Sequence, residues 1–169
     1  MSAEALENHQ FKVYYQPQYS HATGILTGAE ALVRWEQPER GLVLPGKFVP
    51  IFERNGFITT LDLYVFEKTC AMQRRCLDLK LPIVPVSTNF SRYDIFQEDF
   101  LDRLETIRKR YDVPVRYLHI ELTETVFIDG SERMNAIVDE QHRLGYKIQM
   151  DDFGSGYSSL NVLKDTAVD

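Results

Sequence analysis

Four strand-like runs each carry one acidic or amide side chain near the C-terminal end: Glu30 in "GAEAL", Asn89 in "PVSTNF", Glu121 in "YLHIELTE" and Asp151 in "YKIQMDDF". Side chains alternate across a strand, so parity sorts each run into two faces. Two residues earlier, on the same face as the end residue, stand Gly28, Ser87, His119 and Gln149. All four end residues are oxygen donors, a set that suits hard cations such as Mg²⁺ or Mn²⁺ better than zinc. Asp152 follows Asp151 directly, and such neighbours can hold two metals ~3.5–4 Å apart, the arrangement of in-line phosphoryl chemistry. Carboxylates gathered in one place also repel one another until cations neutralise them.

The elements that must position these groups are legible from periodicity. Residues 11–19, 25–35, 82–90, 117–124 and 146–153 read as strands. Residues 60–79, 97–111 and 131–145 carry apolar side chains at spacings of three and four and read as helices. "SERM" marks the start of the last helix and Gly145 its stop. From the second strand onward strands alternate with helices, which predicts a parallel sheet of βαβ units. The first two strands, joined by "SHATG", read instead as a hairpin. Asn89, Glu121 and Asp151 recur at roughly one βα repeat of about 30 residues, so repeated topology gathers them at one mouth of a sheet or barrel. Residues 1–10 read as a linker helix from an upstream domain, and 11–169 as a single domain.

Bulk properties narrow the function class. The 169 residues are 44% hydrophobic and 12% aromatic, enough for one buried core. A net charge of -6 with no basic block argues against DNA or RNA as partner. Phosphate esters stay within reach if metal ions bridge the two negative charges. Cys70 and Cys76 form neither a metal cluster nor a disulfide framework, and no apolar run approaches the ~20 residues of a membrane span. A cytoplasmic protein is expected, with any membrane tether outside this chain.

Several motifs in order, "YYQPQY", "GAEALVRW", "GLVLPGKFVPIFERNGFI", "STNFS", "HIELTE" and "MDDFGSGYSSL", give the chain a resemblance to the EAL-domain family, the cyclic di-GMP phosphodiesterases. That resemblance implies an α/β fold, a modified TIM barrel with an antiparallel first strand, of which about five of the eight strands are expected here. It implies that Glu30, Asn89, Glu121 and Asp151 hold a first metal, and that Asp151 and Asp152 hold a second, with Mg²⁺ or Mn²⁺ as the ions. Glu124 would brace the loop after Asp152, which in the family couples the active site to a homodimer interface. Arg34 would meet a substrate phosphate and Gln16 would position the dinucleotide. The implied reaction is hydrolysis of one phosphodiester bond of cyclic di-GMP to linear pGpG in bacterial signalling. Ser155 stands where the family usually has threonine and keeps the hydroxyl.

The family barrel carries a catalytic lysine, a second-metal glutamate and a guanine-holding glutamine further along, none of which is assignable here. Lys164 precedes the strand that would bear the lysine. A full barrel takes about 250 residues, so the fragment is expected to lack turnover and to expose strand edges that favour association. Two alternatives stand beside the enzyme: a non-catalytic cyclic di-GMP receptor or protein-interaction module, and a purely structural association domain. A diguanylate cyclase-type module is the expected upstream neighbour. The "DFG" at 152–154 lacks the companion motifs of a kinase. Isolated, Glu30 would read as an edge-strand surface residue and Arg34 as an ion-pair partner. Trp35 and Phe48 read as core packing, and His119 as an interior polar group that orients Glu121.

Overall fold

The computed structural model describes residues 2–123 and 132–151, with side chains of the second segment from 134 to 150. Helix α1 (Ser2–Glu7) leads into strand β1 (Phe11–Tyr19), which turns back as β2 (Leu26–Gln37). A short β3 (Gly41–Val43) and helices α2 (Pro45–Asn55) and α3 (Ile58–Asp78) follow. Next come β4 (Val86–Phe90), α4 (Arg92–Ile95), α5 (Phe100–Arg110), β5 (Leu118–Thr123), α6 (Glu132–Leu144) and β6 (Lys147–Asp151).

The strands form one sheet in the order β1-β2-β4-β5-β6, with β3 paired to β2 off this path. β1 and β2 are antiparallel, while β2–β4, β4–β5 and β5–β6 are parallel. Five strands along the path and an antiparallel first pair match the partial-barrel expectation. The hairpin register sets Gln16 opposite Glu30 and Lys12 opposite Arg34.

Strand parity explains why the sheet has a polar and an apolar side. Leu118, Ile120 and Leu122 are fully buried, as is Ile148 on β6. They pack with Phe66 and Cys70 of α3, Phe100 and Leu104 of α5, and Val138 of α6. Each such aliphatic side chain contributes about 1.5–3 kcal/mol by leaving water. The opposite parity is left for the polar residues of the site. A second cluster, around Phe11, Phe48 and Phe52, seats α1 through Ala5 and α2 against the hairpin. Phe11 and Trp35 lie 5.2 Å apart and Trp35 and Phe48 5.8 Å apart, so Trp35 and Phe48 are core packing. The Trp35 indole N–H donates to Gln10 Oε1 at 3.0 Å.

Two boundaries fall later than the sequence reading places them, and two elements are additional. The run 82–90 is strand only from Val86, because Pro82 and Pro85 cannot donate to a ladder. Pro85 still contributes its carbonyl, which accepts the Ala29 N–H at 3.0 Å. The helix expected from 97 begins at Phe100, with the separate short α4 before it. β3 and α2 went unread: Pro45 opens α2 at a position that needs no N–H, and Gly56 ends it at φ 76°.

Candidate metal centre

Register shows how the fold gathers the site. Gln16, Glu30, Ser87, His119 and Lys147 are successive Cα partners across five strands, one rank of the polar face. Asn89, Glu121 and Gln149 form the next rank. Thr123 and Asp151 form the third. The ligand-type residues therefore climb one pleat at a time, from Glu30 through Asn89 and Glu121 to Asp151. Strands that tilt in a barrel produce such a diagonal.

Glu30 and Asn89 touch directly: Asn89 Nδ2 donates to Glu30 Oε1 at 3.0 Å. This bond fixes the rotamer of the glutamate, which otherwise stands among Ala29, Ala31 and Leu32, and turns the Asn89 amide so that its oxygen can serve as a ligand. Glu121 is 6% exposed, next to Asn89 in register. A buried carboxylate is costly unless it is paired, hydrogen-bonded or bound to a cation. Gly28, one rank before Glu30, lies so close to β4 that a Cβ would meet the Pro85 carbonyl at 3.3 Å and Gln18 Oε1 at 3.1 Å.

β2 pairs with β4 only from Ala29 to Ala31. Beyond that point the strands part and leave a cleft of about 400 Å³, lined by Glu30, Asn89, Ser91, Glu53 and Asp62 with apolar walls from α2 and α3. The strand ends are held at their other extremity by Gln73 of α3. Its amide, 1% exposed, donates to the carbonyls of Val84 at 2.8 Å and Tyr117 at 3.2 Å, just before β4 and β5.

Glu30, Asn89 and Glu121 are thus brought together on one face. Asp151 ends β6 with its backbone described; Asp152 and Glu124 lie outside the described residues. Among the described residues no group of three or more His, Cys, Asp or Glu is placed to hold a metal ion. The described donors are two carboxylates and an amide, all hard oxygen ligands, and this chemistry fits Mg²⁺ or Mn²⁺. Arg34 shares the parity of Glu30 and donates Nη1 to the Val33 carbonyl at 2.9 Å. Gln16 is exposed opposite Glu30.

Two carboxylates near this site escaped the sequence reading. Asp62 is 9% exposed and lies in the buried stripe of α3, whose period is filled by Leu61, Val65 and Thr69. Asp94 is 1% exposed and completes a capping box with Ser91. "SRYD", a serine followed three residues later by an acid, was the available signal.

The family model for the EAL domain matches residues 1–169. The bifunctional diguanylate cyclase/cyclic di-GMP phosphodiesterase MucR of Pseudomonas aeruginosa is 32% identical over 161 residues, 95% of this chain and 24% of MucR. The cyclic di-GMP phosphodiesterase PdeL of Escherichia coli is 32% identical over 166 residues, 98% of this chain and 46% of PdeL. The solved structure of the PaMucR phosphodiesterase in complex with c-di-GMP superposes with a TM-score of 0.91 at 31% identity, covering 99% of this chain and 68% of that one.

Proposed function

The chain belongs to the EAL domain family, and on that premise we propose that it forms the first-metal part of a cyclic di-GMP phosphodiesterase. The observation that carries this reading is the adjacency of Glu30, Asn89 and Glu121 on one polar face, with Asn89 hydrogen-bonded to Glu30. Activity named for relatives supports it, although the chain spans only a quarter of MucR and under half of PdeL.

Glu30, Asn89, Glu121 and Asp151 would hold one divalent cation, and Asp151 with Asp152 a second. Bound Mg²⁺ or Mn²⁺ supplies activation of water and stabilisation of charge on a phosphoryl oxygen. The chain's own groups do the placing. The Asn89 amide N–H orients Glu30, Gln16 faces it from β1, and Arg34 sits further along the same face of β2, where a phosphate of the dinucleotide would pass. His119, half-buried one rank below Glu121, orients that carboxylate; Glu124 braces the loop after Asp152.

Partners follow from the same reading. The family's homodimer and a diguanylate cyclase-type upstream module are the expected assembly, in the cytoplasm; MucR is named for both a diguanylate cyclase and a phosphodiesterase. No helix among the described residues is long and apolar enough to cross a membrane.

The test is incubation of the purified protein with cyclic di-GMP and Mg²⁺ or Mn²⁺, beside Glu30→Ala. We expect metal-dependent cyclic di-GMP binding that Glu30→Ala abolishes while the fold persists. Formation of pGpG assigns catalysis to this chain, and binding without pGpG makes it a receptor-like part of the domain. A folded protein that binds neither metal nor dinucleotide contradicts the proposal.

A further inference from the structure

A carboxylate inside an apolar helix stripe is costly unless something requires it. Asp62 occupies such a position on α3, between Leu61 and Val65. It does not stand alone. The N–H of Ser91 donates to Asp62 Oδ2 at 3.2 Å and to Asp94 Oδ2 at 2.9 Å. The Ser91 hydroxyl adds a third bond, to Asp94 Oδ2 at 2.5 Å. Ser91 is the residue directly after β4, two beyond Asn89. Phe90, between them, is wedged between the rings of Phe66 and Phe100 at 5.9 and 5.1 Å. The end of β4 is therefore gripped by α3 on one side and α4 on the other.

Resting on the metal-centre reading above, we propose that Asp62 and Asp94 are positioning residues for that centre: by clamping Ser91 they hold Asn89 where its amide meets Glu30. The groups need not touch the metal to matter. Partners behind the ligands of a metal site typically set its affinity by 10–100-fold.

The clamp has an unusual composition, since two buried carboxylates share one N–H. The charged groups facing Asp62 are acids: Asp94 from α4 and Glu53 from α2, with Glu30 of β2 on the same cleft. Burial first, and the Asp94 charge second, push the Asp62 carboxyl well above the usual carboxylate range. A proton held by Asp62 would let the two carboxyls share the Ser91 N–H without mutual repulsion. Asp94 Oδ1, fully buried, has no hydrogen-bond partner.

Mn²⁺ affinity, read by electron paramagnetic resonance, separates this role from a merely structural one when it is measured on the protein and on Asp94→Ala, Asp94→Asn and Asp62→Ala. Thermal melts confirm that each variant is folded. Both alanine variants should bind Mn²⁺ roughly 10-fold more weakly. Asp94→Asn should restore the affinity, because its amide accepts from Ser91 and donates toward Asp62 in place of the proton. Should Asp94→Ala fail to fold, Asp62→Ala carries the comparison. Folded alanine variants that bind Mn²⁺ as tightly as the unsubstituted protein overturn the proposal, as does an asparagine variant no better than alanine. If the unsubstituted protein binds no Mn²⁺, the metal-centre reading falls, and this proposal with it.

Discussion

Glu30 and Asp62 present the same problem, a carboxylate at an apolar position, and the fold solves it differently for each. Glu30 sits where β2 and β4 part, takes the Asn89 amide and faces the cleft. Asp62 is buried beside Asp94, and burial first and the Asp94 charge second raise its carboxyl well above the usual carboxylate range. A carboxyl whose folded pKa lies above its unfolded value of 3.8 binds its proton more tightly when folded. Its contribution to stability is therefore lost as pH rises from that value through the folded one. Asp62→Asn never suffers that loss, so it should raise the melting temperature at pH 8 by roughly 2–4 °C, the shift that ~1 kcal/mol gives in a domain this size. Near pH 4 the gain should vanish. A variant that melts lower at pH 8 would show that Asp62 is ionised and paired. Legibility at this scale followed the same division. Glu30, Asn89 and Glu121 could be read because parity at strand ends exposes a polar exception, whereas Asp62 fell on a helical stripe whose 3.6-residue period looks complete without asking what each member is.

The elements hold the site through a few polar ties. α5 is joined to the approach of β6, the strand that ends in Asp151, by one network. The Tyr146 hydroxyl donates to Glu105 Oε1 at 2.9 Å, and Arg108 pairs with both Glu105 oxygens at 2.7 and 2.8 Å and reaches the Val113 carbonyl at 3.0 Å. The Arg108 hydrogen bonds, ahead of the burial that opposes them, hold the Glu105 carboxyl below its ordinary 4.5. Its stabilisation is complete above that pH and fades as pH falls through the lower folded value. Glu105→Gln should cost about 1.5–3 kcal/mol at pH 7, the range for a hydrogen bond to a charged group. Denaturant unfolding at pH 7 and at pH 3 checks both the cost and its decrease in acid; a cost unchanged at pH 3 would contradict the ionic account. The regular elements were legible because α3, α5 and α6 keep one apolar stripe and β5 alternates strictly. β3 and α2 were not, since "GLVLPGKFVPIF" carries two prolines that sequence rules treat as breaks, although one merely opens the helix. The late start of β4 has the same origin in Pro82 and Pro85.

At the scale of the molecule, five strands run along one sheet with one polar face, on which the register steps diagonally from Gln16 and Glu30 to Asp151. Register sets Glu30 and Asp151, more than a hundred positions apart, two ranks from one another on the sheet, and the cleft between β2 and β4 opens beside Glu30 and Asn89. Everything proposed about cyclic di-GMP depends on whether that face binds a divalent ion. Crystals of the protein grown with Mn²⁺, measured at the manganese absorption edge, answer this most directly. The account predicts an anomalous peak bound by Glu30, Asn89, Glu121 and Asp151, and its loss in Glu30→Ala. An ordered face with no anomalous peak, or a peak ligated elsewhere while these four side chains stay empty, would contradict it.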